Sequence, residues 1–512
     1  MAGVAAGALT LAVGDLVAQL TVPAASPLIA VGETFIDLTP GWLKDFAIAR
    51  FGTNDKLVLL LTMGAVVAAL AAAAGLAVRR RPRVAVLLVA ALGAVAASAA
   101  VARPGAEALA ALPSLVGTAA GLAALLLYGA AVRRTVAVDR ATGPETTAMS
   151  ATSVTPATVD RRRVLATVGG TAGLAVLAGG AGRAVPAIAG RGLGPETVRL
   201  PAAAQAAAAL PAGVEVGVPG VTPFVTDARN FYRIDTALSV PQLDASAWRL
   251  RLHGLVEREV ELSFRDLLDL PLVERTVTLT CVSNEVGGTL AGTANWLGVP
   301  VRTLLERAGV RPEADMVLSR SSDGFTASTP VAALTDGRDA LLAVGMNGAP
   351  LPYEHGFPVR MVVPGLYGYV SATKWLVDLE VTRFDRAQAY WTRRGWADRA
   401  PIRTFSRIDV PRPFARVPAG RVAVGGVAWA QQRGIEAVEV RVDGGPWSPA
   451  KLGAVPGVDT WRQWMWAWDA TPGLHRLEVR ATDATGEPQT ATRRPPKPDG
   501  ATGWHSVTVT VT

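Results

Sequence analysis

The sequence predicts a three-part chain: about five transmembrane helices, an α+β domain, and an immunoglobulin-like β-sandwich. Three observations predict it. Hydrophobic residues make up 50% of 512 positions and crowd into the first 190, which are dominated by Ala, Leu, Val and Gly. Mixed helix and strand patterning, rich in Trp, Asp and Arg, starts near residue 220. From about residue 400, short alternating segments follow one another with Gly/Asp turns. One hydrophobic core does not serve a chain of this length.

The membrane region comes first, at 1–135. Leu57 to Val78, Val84 to Ala102 and Leu115 to Val132 are uncharged runs near the ~20 residues that cross a bilayer. Residues 2–22 form a weaker run broken by Asp15, and a fifth, Gly-rich run lies at 164–182. Arginines set the direction. The connections holding Arg79, Arg80, Arg81 and Arg83, and Arg133, Arg134, Arg140 and Arg161 to Arg163, carry ten Lys/Arg. Residues 23–56 and 103–112 carry four. By the positive-inside rule the first two connections are cytoplasmic. The chain then starts inside, and everything beyond about residue 185 lies outside a multi-pass cytoplasmic-membrane anchor.

The net charge of +8 has this membrane explanation, so no nucleic acid partner is expected. One cysteine excludes an intrachain disulfide and an iron–sulfur cluster, and no CxxCH is present for haem attachment. All four histidines follow residue 250, so the spans hold no bis-histidine haem and read as an anchor.

A cytoplasmic linker, 136–163, ends in Asp160-Arg-Arg-Arg-Val-Leu165. This resembles a twin-arginine signal, read by the export route for folded proteins, with Asp160 where Ser or Thr is usual. Ala187-Ile-Ala-Gly190 offers a cleavage site, and the sequence leaves cleaved and retained forms open.

A second linker, rich in Ala and Pro, is expected at 183–220, then an α+β domain at 221–400. "WRLRLHGLVEREVELSF" (248–264) alternates as a hairpin does, and Phe264 to Leu270 reads as a short helix. Thr276 to Cys281 reads as a strand of β-formers ending at the cysteine, and Val299 to Gly309 as a helix closed by glycine. "FPVRMVVPGLYG" reads as a buried strand entering a turn. The sandwich, 401–512, is carried by "RVAVGGVAWA", "IEAVEVRVDGG", "WRQWMWAWDA", "HRLEVRATDATG" and "HSVTVTVT". Trp461, Trp464 and Trp466 suit either an exposed association surface or, by their alternation, the core.

The sole cysteine stands in "TLTCVSNEVGG", after a β-run and before two glycines. By residue type it is either a small buried hydrophobe or a thiolate serving as soft metal ligand or nucleophile. Arg360 by itself fits a salt bridge, and Lys374 a solvated surface charge.

The cysteine segment, "NFYRID" (230–235), "DGFTASTP" (323–330), "HGFPVRMVVPGLYGYVSATKWL" (355–376) and the strand-rich C-terminus occur in one order. Together, over about 220–512, they resemble the sulfite oxidase family of molybdopterin-dependent oxidoreductases. The resemblance implies that Cys281 ligates molybdenum and that a molybdenum–molybdopterin cofactor carries the chemistry. It implies that Asn230, Phe231, Tyr232 and Arg233 touch the pterin, with Ser321 and Asp323 nearby. It implies that His355, Arg360, Ser371, Ala372, Thr373 and Lys374 cradle the pterin phosphate. Catalysis would be two-electron oxygen-atom transfer at Cys281, with Asn284 beside it, fed by a small-molecule substrate. A separate electron carrier or quinone-linked membrane protein would complete turnover, and a homodimer through the sandwich is possible in such a family.

The chain departs from that family in two places. Phe325 stands where the family has an active-site tyrosine, and Val282-Ser-Asn-Glu285 replaces an arginine-rich run. Fewer positive groups favour a neutral sulfoxide over a sulfur oxyanion such as sulfite. The alternative from another class is a membrane-tethered β-sandwich binding or adhesion protein without an active cofactor.

Overall fold

The computed structural model describes residues 1–40, 43, 46–47, 50–51, 55–103, 106, 108–141, 158–188 and 192–512. They form two units, Met1–Arg191 with Ala237–Ser239, and Gly192–Thr236 with Val240–Thr512.

The first unit is helical. Ala2–Leu20, Lys56–Arg80, Pro82–Val101, Leu112–Val132 and Val164–Ala184 are each long and apolar enough to cross a membrane. All five expected runs are thus helices. Leu57, Leu61, Leu76, Leu87, Leu126 and Leu177 stand exposed on them, as lipid-facing side chains do. Small residues bring helices together: a Cβ on Gly75 would come 2.7 Å from Cα of Gly3. The 12-residue helix Pro27–Leu38 was not expected, because it is too short to register as a span. It carries Glu33, which pairs with Arg103. Residues 142–157 of the first expected linker, and Ala189 and Gly190 of the cleavage segment, lie outside the described residues. The arginine triplet at 161–163 begins one end of the helix Thr158–Ile188.

The second unit opens with residues 192–236, which form no helix or regular strand. The part expected to be a linker is nonetheless packed: Val198 and Val214 join the core, and Val216 N–H donates to Gln463 Oε1 at 2.8 Å. Its prolines suppress regular structure without preventing burial.

The α+β part holds two sheets. Strands β1 (Arg249–Gly254), β2 (Val260–Ser263), β5 (Met316–Ser321), β6 (Thr326–Pro330) and β10 (Leu376–Thr382) run in the order β2-β1-β10-β5-β6. Strands β3 (Val273–Thr280), β4 (Ala291–Pro300), β7 (Leu341–Met346) and β8 (Ala349–Pro350) run in sequence, with β9 (Arg360–Val362) also on β7. The expected hairpin is β1–β2, paired Arg249 to Ser263 through Leu252 to Val260. The helix Phe264–Leu268 starts at a capping box between Ser263 and Asp266. The helix Val301–Ala308 ends at Gly309, as its sequence requires, while Val299 and Pro300 belong to β4 instead.

The C-terminal part is two sheets face to face. One is β11 (Phe405–Val410), β13 (Gly420–Trp429), β17 (Arg462–Ala470) and β16 (Lys451–Leu452). The other orders β12 (Arg416–Val417), β19 (His505–Val511), β18 (Gly473–Asp483), β14 (Ile435–Val442) and β15 (Ser448–Pro449). Val424, Trp464 and Trp468 of the first meet Val440, Val479 and Val509 of the second. Trp461 and Trp464 are fully buried and Trp466 is partly covered, so the tryptophans are core and not an exposed surface. Trp464 and Trp466 alternate on β17 and share its inner face, whereas Trp461 precedes the strand and packs in the core of the α+β part.

Candidate active site

Strand β3 delivers the cysteine. Its last four residues are buried, and β4 covers one edge. The other edge meets the C-terminal sandwich. Thr278 N–H donates to the Asp459 carbonyl at 2.9 Å, and Thr278 O accepts from Gln431 Nε2 at 3.0 Å. The Thr278 hydroxyl meets that of Thr293 and accepts from Trp461 N–H at 2.7 Å. An edge strand is therefore satisfied on both sides.

The chain then turns through 281–290. Cys281 N–H donates to Leu290 O at 2.9 Å and Asn284 N–H to Cys281 O at 3.1 Å. Asn284 Oδ1 accepts from Leu290 N–H at 2.8 Å, which ties the ends of the loop. Asn284 Nδ2 is buried with no hydrogen-bond partner among the described residues. A buried amide with two unused donors points to an absent acceptor. Cys281 is 8% exposed, and burial pushes its thiol up from the ordinary range. A thiolate here therefore needs a positive partner.

A cradle stands beside it. Phe231 packs edge-on against Trp296 and His355, at centroid distances of 5.7 and 5.6 Å. Tyr232 neighbours both Cys281 and Arg360, and burial raises its phenol well above the ordinary range. Arg360 from β9 is 5% exposed and lies 4.9 Å over the Trp296 ring. Its guanidinium reaches three carbonyls, His355 O at 3.2 Å, Ala372 O at 3.4 Å and Met361 O at 3.4 Å. No carboxylate pairs with it among the described residues, and burial pulls it down to about 10. A buried cation without an anion is costly, by several kcal/mol, unless a ligand supplies the charge.

His355 is buried, and its Nε2 lies 2.7 Å from Ala228 O. A carbonyl only accepts, so that nitrogen carries the proton. Burial holds the ring down at about 4, so at neutral pH it is uncharged. Its one N–H is spent on Ala228, which leaves none for the anion the sequence placed it beside. Lys374 is also buried and is not a solvated surface charge. Its ammonium donates to Asp235 Oδ2 at 2.7 Å and Glu354 O at 3.1 Å. Burial draws it down to about 8, with Asp235 opposing. Arg233 Nε shares the same Asp235 oxygen at 2.9 Å.

The remaining expected residues divide. Ser371 Oγ donates back to Leu366 O and Tyr367 O, both at 3.0 Å, and the Thr373 hydroxyl meets Ser319 Oγ at 2.7 Å. Both hydroxyls are thus engaged within the fold. Ser321 and Asp323 lie in a turn tied to the cradle through Ser322 N–H, which donates to Trp375 O at 2.9 Å. Asp323 Oδ1 accepts from Phe325 N–H at 3.1 Å. The Phe325 ring packs 5.9 Å from Tyr390. Asn230 N–H closes a turn on Asp227 O at 3.0 Å. Sequence reasoning missed Trp296, which floors Arg360, and Asp235, which pairs Lys374. Asp235 ends the quoted "NFYRID" stretch, whereas nothing about Trp296 distinguishes it from any core tryptophan.

Among the described residues, no three His, Cys, Asp or Glu side chains gather as a metal site. A metal at Cys281 would need ligands from an organic cofactor. The lone buried thiol, the unpaired guanidinium and the orphan amide fit a metal-bearing anionic cofactor.

Comparison with known proteins bears on that fit. The domain described as "Oxidoreductase molybdopterin binding domain" matches residues 237–391. Sulfite oxidase of Gallus gallus is 32% identical over 284 residues, 46% of this chain and 60% of that protein. Mitochondrial sulfite oxidase of Homo sapiens is 32% identical over 274 residues, 45% and 49% of the two chains. This chain thus spans about half the length of these two sulfite oxidases, 60% and 49%. The "Uncharacterized oxidoreductase YuiH" of Bacillus subtilis is 35% identical over 153 residues, 30% of this chain and 74% of that protein.

Proposed function

We propose, from the premise that this chain belongs to the molybdopterin-dependent oxidoreductases that include the sulfite oxidases, that it is a membrane-anchored enzyme of oxygen-atom transfer. The substrate is a small sulfur oxyanion or a sulfoxide, and two electrons pass per turnover. The observation that carries the reading is the buried Arg360, without a carboxylate partner among the described residues, which shares Tyr232 as a neighbour with the chain's sole thiol, Cys281.

When bound, molybdenum–molybdopterin supplies the oxo-metal centre that exchanges an oxygen atom with substrate. The chain's own residues do the rest. Cys281 would hold the metal as a thiolate, its proton lost on binding. Arg360 would pair with the pterin phosphate and so recover the charge balance it lacks. Lys374, already paired with Asp235, adds a cation at the same end, and a bound anion would draw its pKa upward. Phe231, Tyr232 and Trp296 wall out water. Asn284 Nδ2 offers two donors to an oxygen at the metal side. Phe325 leaves its position without a hydroxyl, which suits a substrate carrying little negative charge.

Domain boundaries follow the sequence: an α+β domain at 221–400 and an immunoglobulin-like sandwich at 401–512. The five apolar helices support the anchor, and the arginine distribution supports an extracytoplasmic catalytic domain. Export after folding agrees with the motif at Asp160 to Leu165. Electrons leave or arrive through a separate carrier or a quinone-linked membrane protein.

The test is metal content. The full chain, produced in cells with cofactor synthesis intact, should carry near-stoichiometric molybdenum, and Cys281→Ser should lose it. A folded wild-type chain without molybdenum would sink the reading and leave a tethered binding protein in front.

A further inference from the structure

The loop from Cys281 to Leu290 contains no helix or strand of its own, yet it fixes where the sole thiol sits. Its internal bonds tie its ends, the Cys281–Asn284 turn and the Glu285–Gly288 turn. The outer turn rests on the C-terminal sandwich. Arg407 of β11, 4% exposed, donates Nη1 to Gly288 O at 2.8 Å. The same guanidinium pairs Nε with Asp409 Oδ1 at 2.6 Å and donates Nη2 to Thr222 Oγ1 at 2.9 Å. Asp409 Oδ2 in turn accepts Thr222 N–H at 2.9 Å. Each arm of this arginine is committed, so it holds the carbonyl rigidly.

His505, at the start of β19, holds the neighbouring residue. Its Nδ1 accepts Ile408 N–H at 3.0 Å, which fixes the ring. The ring fills the space that a Cβ on Gly287 would need, and Gly287 has φ +83. Only glycine satisfies both conditions there. On the other side of the cysteine, the sandwich pins Thr278 through Asp459, Gln431 and Trp461. The thiol is therefore bracketed in sequence by two sets of sandwich contacts.

We propose that Arg407 and His505 are positioning residues for Cys281, so that the C-terminal sandwich sets the geometry of the metal-ligating loop. A domain present only to join two copies of the chain has no reason to bury an ion pair and a ring against that loop. The proposal builds on the site described under the proposed function, but its test needs no metal.

Cys281 is the only cysteine, so a thiol reagent reports on it alone. The full chain is produced without cofactor, purified in detergent and treated with a maleimide. Near-ultraviolet circular dichroism of the tryptophans confirms the fold. Arg407→Lys keeps a cation opposite Asp409 but loses the planar fork. Its labelling rate should rise roughly tenfold or more, as expected when local opening loses a charge-assisted hydrogen bond. His505→Ala should also label faster, whereas Arg441→Lys, paired with Glu478 elsewhere in the sandwich, should label as the wild type does. Wild-type rates in folded Arg407→Lys and His505→Ala would overturn the proposal. Should Arg407→Lys not fold, His505→Ala decides, because it removes atoms and leaves the ion pair intact. A wild-type chain without molybdenum would sink the metal reading and leave the labelling result standing.

Discussion

Arg360 and Arg407 are almost equally inaccessible, at 5% and 4% exposure, and their surroundings are opposite. In the sandwich, Arg407 meets Asp409, and Arg433, Arg441 and Arg480 likewise meet Asp483, Glu478 and Glu439. In the α+β domain, Arg360 meets carbonyls and an aromatic face. Burial alone does not separate structure from function. What distinguishes the two arginines is the counter-charge, which Arg360 lacks among the described residues, and an unpaired buried cation is costly unless something else neutralises it.

The strongest way to break this contrast is one substitution at both sites. Arg407→Met should destabilise the chain by about 3 kcal/mol or more, because Asp409 is left buried and unpaired. Arg360→Met should leave cofactor-free stability unchanged, or raise it by about 1 kcal/mol, while cofactor retention falls on the order of 10- to 100-fold. Denaturant midpoints and bound molybdenum check the two halves. Equal destabilisation at both positions would end the contrast.

Acid sharpens it next. His355 is held at about 4 in the fold, below its ordinary 6.5, so protonation favours unfolding. Its stabilisation is present above pH 6.5 and is lost as pH falls toward 4, by up to about 3 kcal/mol. His355→Gln should remove that part of the pH dependence. Asp483 is paired and is held at about 2. Its stabilisation is present above about pH 4 and is lost only as pH falls toward 2, by about 2 kcal/mol. Asp483→Asn should flatten that lower window and leave the upper one intact.

The smallest effect belongs to Phe325→Tyr. Stability should move by less than about 0.5 kcal/mol. If a hydroxyl at this position favours an oxyanion, turnover of sulfite relative to a sulfoxide should rise. An unchanged ratio would remove Phe325 from substrate choice.

The apolar runs and the alternating C-terminal strands were legible because each carries its own period, 20 residues of hydrocarbon or every second residue. The strand before Cys281 was legible from its β-forming residue types instead, although it runs Val273–Thr280 and stops one residue short of the cysteine. The packing of 192–220 was not, since Ala- and Pro-rich tracts look alike whether they lie against a core or in water. Within the candidate site, the family resemblance singled out Arg360, Lys374 and Cys281, where residue type alone did not. Neither could reveal that Arg360 lacks a carboxylate, that Asp235 already holds Lys374, or that His355 spends its proton on Ala228. Those facts depend on which distant backbone arrives, and no local pattern encodes it. The tryptophans of β17 were ambiguous for the converse reason: alternation says they share a face without saying which face.

The sandwich contacts to β3 also set a clock. Trp461 N–H reaches the Thr278 hydroxyl across 183 positions of chain. At ~5–20 residues per second, the ribosome needs on the order of ten to forty seconds to travel from one to the other. Throughout that interval the strand bearing the cysteine has been made but one of its edges is open. The second edge of that strand is closed only once Trp461 has been made, so a chain truncated before residue 461 is expected to leave the ribosome with that edge unfinished.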